Sequence, residues 1–250
     1  MSDERALGPR EPEDGPDHPE PEDVKTGTSM KLKDAMKEMK AANDNVEVAG
    51  LTIADSQKAA GNLEAALAHL GKHFKIDKDS IYFQKFSGNY VGESRESGTY
   101  IDPIMLMHPT ARLVRVLSHE LGHNNDQIQN EGLVDAYAKT VGMLGDDSEV
   151  TEVYEKALEN FYGFIERVRG NREVNECVKE VYELYYQGEF EKIYELYEES
   201  CINTLPKGQE EAFAFFNIVF PELEVKGDGQ YHPLDEEVGP VIKPEFRNAA

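Results

Sequence analysis

The sequence predicts an α+β chain that is predominantly helical, with a small N-terminal β-sheet, a helix bearing a His-Glu-x-x-His pattern and a C-terminal helical lobe. Three observations predict it. Apolar residues recur at helical spacing from Leu32 to Phe220, β-branched and aromatic runs are confined to the stretch between Val46 and Leu106, and no strand periodicity survives beyond it. At 250 residues the chain can bury a sizeable core without disulfide staples.

The elements follow in order. Residues 1–30 carry Pro9, Pro12, Pro16, Pro19 and Pro21 among acidic residues. They offer too little apolar surface to offset ordering entropy, so a disordered acidic tail is expected. From Met30, KLKDAMKEMK places Leu32, Met36 and Met39 at helical spacing, and NVEVAGLTI (45–53) alternates as one short strand would. Leu63, Ala66, Leu67 and Leu70 give residues 56–74 an amphipathic helix. IYFQKF (81–86) and TYIDPIML (99–106) read as a hairpin or two neighbouring strands, with Pro103 demoting the second to a sheet edge. Pro109 stands where a helix would start, striped by Leu113, Val116, Leu117 and Leu121. After the polar turn NNDQIQN, another helix is expected from Glu131 to Leu144, then helical segments at 148–169, 172–187, 189–203 and 208–219. The domain reading is a tail at 1–30, a core unit at 31–145, a helical lobe at 146–222 and an extended tail at 223–250.

Charge and composition exclude several partners. A formal charge of −23 and no Lys/Arg cluster argue against nucleic acid and disfavour an anionic membrane surface. The longest dense apolar run, Ala212 to Phe220, falls short of the roughly 18 residues a spanning helix needs. Cys177 and Cys201 form no disulfide framework and read as packing residues; with no export signal, a cytoplasmic location is expected.

One cluster carries chemistry, Ser118 to Ala138. His119, Glu120 and His123 form H-E-x-x-H, which puts two imidazoles on one helix face about 6 Å apart with a carboxylate beside them. With seven histidines in the chain, chance supplies this pattern only roughly a few per cent of the time, so a solvated helix face is the weaker reading. Zinc suits such ligands, leaving the fourth position to water. Glu131 is the best third ligand because a tight turn would return it beside the first helix, while Asp126 competes from within the turn. Asp135, four residues after Glu131, could accept the outer N–H of either histidine. His69 and His73 repeat the i, i+4 spacing without an accompanying Glu and read as a structural pair.

His119, Glu120 and His123 with the following Asn130-Glu131-x-x-x-Asp135 resemble the gluzincin pattern of thermolysin-like zinc metallopeptidases, with a tighter connection between His123 and Glu131 than in thermolysin. The resemblance covers about twenty residues directly and implies a zincin-like fold. It further implies zinc held by His119, His123 and Glu131, Glu120 as general base on a zinc-bound water, and Asp135 orienting a zinc-bound histidine. A peptide or protein substrate would follow, paired along the edge strand that zincins use, for which Tyr100 and Ile101 are the candidates. Tyr100, His108 and Tyr137 lie near the motif in sequence, but none can be assigned as a second oxyanion donor. The competing readings are a metal hydrolase for a non-peptide amide and an inactive metal-binding regulatory or partner-binding module.

Overall fold

The computed structural model describes residues 28–87, 90–124, 127–143, 152–202, 209–221 and 223. The fold is α+β and mostly helical, with one small sheet and a separate hairpin. The expected tails, 1–30 and 223–250, lie almost entirely outside the described residues.

β1 (Met30–Lys31) leads directly into α1 (Leu32–Ala41), which buries Leu32, Ala35, Met36 and Met39 along one face. The stretch expected to be a single strand is instead a hairpin of β2 (Val46–Val48) and β3 (Leu51–Ile53). Ala49 and Gly50 both take positive φ, 47° and 80°, which reverses the chain in two residues. α2 (Ser56–Leu70) starts after Asp55, whose side chain accepts a hydrogen bond from the Lys58 N–H at 3.3 Å.

The four-stranded sheet adds β4 (Ile81–Phe83), β5 (Gly92–Arg95) and β6 (Gly98–Ile101) in the order β1-β4-β6-β5. β6 runs parallel to β4 and antiparallel to β5, so it is an interior strand. This overturns the edge position expected for it. Pro103 does not interrupt a strand, because β6 ends at Ile101 and Pro103 opens a 3-10 turn, Pro103–Met107, where a missing N–H costs nothing. Asp102 fixes that exit by accepting from the Ile104 and Phe86 N–H groups, both at 2.9 Å. The edge on this side is β5.

α3 (Thr110–Gly122) follows Pro109 and buries Leu113, Val114 and Leu117, each worth roughly 1.5–3 kcal/mol of burial. α4 (Glu131–Val141), α5 (Glu152–Val168), α6 (Val174–Tyr186), α7 (Phe190–Ile202) and α8 (Gln209–Val219) follow among the described residues. Two hydrophobic clusters result. One joins α1, α2, the sheet and that face of α3; the other joins Ile128 and α4 to the C-terminal helices. α3 and α4 pack on each other where the two meet. Among the described residues no helix is long and apolar enough to cross a membrane.

Candidate metal centre

α3 brings the first two imidazoles together. His119 lies in its last turn, and His123 caps it with φ −68° and ψ −11°, which keeps helical register one residue beyond the helix. Their Nε2 atoms stand 3.3 Å apart. Asn124, at φ 49°, then turns the chain out of the helix, and the Ile128 N–H returns to the His123 carbonyl at 3.0 Å. Asn130 caps α4, accepting from the Leu133 N–H at 2.9 Å while its amide donates to the Val219 carbonyl at 2.7 Å. The return sets Glu131 Oε2 at 3.3 Å from His119 Nε2 and 3.6 Å from His123 Nε2. Asp126, the competing ligand, lies outside the described residues.

The triangle of donor atoms has edges of 3.3, 3.3 and 3.6 Å. Two ligands of a tetrahedral centre with bonds of about 2.0–2.1 Å stand about 3.3–3.4 Å apart, so the arrangement matches three corners of such a centre. Glu131 Oε2 is buried and makes no regular hydrogen bond among the described residues, its close polar contacts being the two imidazoles. A buried carboxylate oxygen costs free energy unless a positive charge stands beside it, which in the metal-free chain only the His119 imidazolium among these groups can supply and which a metal ion would supply in its place. These three residues form a group able to hold a metal ion. Two nitrogens and an oxygen suit zinc.

Both rings are oriented from behind. His123 Nδ1 lies 2.6 Å from the Ile128 carbonyl, which can only accept, so Nδ1 carries a hydrogen and Nε2 is the nitrogen that faces His119 and Glu131. His119 Nδ1 lies 3.3 Å from Asp135 Oδ1. Asp135 is in turn held by Arg115, one turn before His119, whose Nη2 pairs with the carboxylate and whose Nη1 donates to the Asp135 carbonyl at 3.3 Å.

Burial works against charge on His119, but hydrogen bonding to Asp135 and Glu131 outweighs it and raises the imidazolium to about 9. Burial raises Glu120 to about 7; His119 opposes the shift, and Glu131 and Glu93 add to it. Burial also acts to raise Asp135, yet His119 and Arg115 hold it below its ordinary value. In the metal-free centre the His119 imidazolium thus stands between two carboxylates, those of Asp135 and Glu131.

No family model matches the chain, and neither a curated protein nor a solved structure matches it.

The structure brings His119, Glu120, His123, Glu131 and Asp135 into one place and sets other candidates among the described residues apart. Tyr100 and Ile101 lie on the interior strand β6, so their main chain is not free to pair with a substrate; Ile101 is fully buried and Tyr100 stacks on Tyr82. Tyr137 is packed face to face on Tyr182, and His108 precedes α3, about 15 Å of helix away from His119. His69 Nε2 lies 2.8 Å from the Val141 carbonyl, tying α2 to the end of α4. Cys177 is buried; the side chain of Cys201 lies outside the described residues. Sequence reading missed three neighbours of the site: Arg115, Gly92 and Tyr154. The Tyr154 ring packs 5.7 Å from that of His119, and burial, with Glu131 and Glu120 close by, raises its hydroxyl above the ordinary value. Arg115 stands at i−4 from His119 and was open to inference. Gly92 and Tyr154 come from other elements, and no local spacing marks them.

Proposed function

We propose that this chain is a zinc-dependent hydrolase of peptide bonds with a zincin-like, gluzincin-type core. The observation that carries the reading is the triangle of His119 Nε2, His123 Nε2 and Glu131 Oε2, with edges of 3.3, 3.3 and 3.6 Å, set beside the buried carboxylate of Glu120. Zinc, when bound, supplies Lewis acidity that acidifies water and polarises a carbonyl. Glu120 accepts a proton from the attacking water as its oxygen bonds to the peptide carbon, and delivers that proton to the amine as the C–N bond breaks. Burial raises the Glu120 carboxyl in the metal-free chain, the direction that suits a group that must return a proton as well as take one. Asp135 and the Ile128 carbonyl hold the imidazoles in orientation. Tyr154, beside His119 and protonated at neutral pH, is the donor we assign to the developing oxyanion. An extended peptide is assigned to β5, the edge strand that packs on α3.

Metal analysis of the purified protein, followed by a peptide library, tests the reading. Glu120→Gln is expected to keep one zinc per chain and lose about 10²- to 10⁴-fold in cleavage rate. Glu131→Ala is expected to lose zinc, and Asp135→Asn to weaken it about 10- to 100-fold. A protein unable to take up zinc would overturn the site. Cleavage that persists in Glu120→Gln would overturn the base, and zinc without cleavage in the unaltered chain would favour a metal-binding regulatory module.

A further inference from the structure

Gly92 opens the edge strand β5 opposite Ile101 of β6, directly against Glu120 of α3. A Cβ at position 92 would stand 2.5 Å from Glu120 Oε1, 2.7 Å from its Cγ and 2.8 Å from its Cδ. All three clashes fall on one side chain, the carboxylate arm read above as the base. Backbone conformation does not require glycine here, because Gly92 has none of the positive φ that Gly98, at 138°, needs. Glycine inside a strand is ordinarily a disadvantage, and it often marks a close approach by another group. Here the approaching group is Glu120.

Both backbones are held by packing or pairing. β5 is pinned by its register with β6, and α3 is anchored by Leu113, Val114 and Leu117 in the N-terminal core. Of the groups a side chain at position 92 would meet first, the Glu120 side chain is the one that can rotate away, so the carboxylate is expected to move before either main chain. The three atoms nearest such a Cβ belong to Glu120 and none of them to His119, His123 or Glu131.

We propose that Gly92 is the positioning residue of Glu120: the bare Cα of β5 provides the space that fixes where the carboxylate stands. The consequence for turnover rests on the hydrolase reading, whereas the steric coupling does not.

The experiment compares the zinc-loaded chain, Gly92→Ala, Glu120→Ala and the double variant in zinc content, thermal midpoint and cleavage of a peptide library. All four are expected to bind one zinc. Gly92→Ala should lower the midpoint by several degrees when Glu120 is present. In the Glu120→Ala background it should change the midpoint little, because the atoms it would meet are gone. On a single cleaved peptide, kcat of Gly92→Ala should fall about tenfold or more with KM nearly unchanged, since a 1 Å displacement of a reacting group is enough for such a loss. Equal destabilisation in both backgrounds would overturn the proposal, as would undiminished kcat in Gly92→Ala. If the unaltered chain cleaves nothing, the hydrolase reading fails and the thermal cycle alone decides the placement. If Gly92→Ala does not fold, folding of the double variant supports the proposal and its failure to fold overturns it.

Discussion

In the metal-free protein His119 holds a proton, which under the proposed function a metal ion would have to displace. Its imidazolium, raised to about 9, exceeds the ordinary value of 6.5, so between these limits the folded metal-free chain binds a proton that the unfolded chain releases. That contribution to stability is fully present below pH 6.5 and is lost as pH rises through 9. It is of the order of a few kcal/mol. Glu120 acts in the same sense: raised from 4.5 to about 7, it favours the folded state at low pH and ceases to do so as pH climbs through 7. Denaturant titrations of the metal-free chain are expected to show stability falling from pH 6 to pH 9. Metal binding must displace the His119 proton, so apparent zinc affinity should rise about tenfold per pH unit from 6 to 8, which calorimetry in buffers of different ionisation enthalpy would measure. Tyr154→Phe removes only a hydroxyl. It is expected to leave zinc content unchanged and to slow cleavage by about 10²-fold or more, a split that steady-state kinetics with metal analysis would resolve.

At the scale of elements, the centre depends on how α3 ends and how α4 begins. The Tyr182 hydroxyl of α6 donates to the Gly122 carbonyl at 2.8 Å, one residue before His123, and its ring stacks on Tyr137 of α4. The end of the histidine helix is thus clamped by the C-terminal cluster. Tyr182→Phe should cost about 1–3 kcal/mol, because a buried carbonyl loses its partner, and chemical denaturation would read it. Helices were legible from the sequence because one buried stripe suffices to announce them. α6, expected at 172–187, spans Val174–Tyr186. The strands were less legible. Alternation through NVEVAGLTI concealed a turn that needs two positive-φ residues, and the pairing of β6 on both sides depends on β4 and β5, which its own residues do not encode.

Across the whole molecule, the formal charge of −23 fades as a guide to function, while three carboxylates, Glu120, Glu131 and Asp135, meet two histidines where the two hydrophobic clusters join. A ligand that binds only the folded chain stabilises it by mass action, so saturating zinc at 1,000 times its Kd should add about 4 kcal/mol. Calorimetry should show the thermal midpoint rising with zinc and falling again on chelation, and Glu131→Ala should abolish that response. The sequence by itself determined the helical class and the i, i+4 placement of His119 and His123, because a helix repeats every 3.6 residues and converts spacing into geometry, and it offered Glu131 and Asp135 as candidates beyond the turn. Only the tertiary structure decided that Glu131 Oε2 closes the triangle, that Arg115 holds Asp135, and that Gly92 and Tyr154 border the site. The physical reason is that contacts between elements depend on how strands register and helices dock, which no local repeat along the chain records.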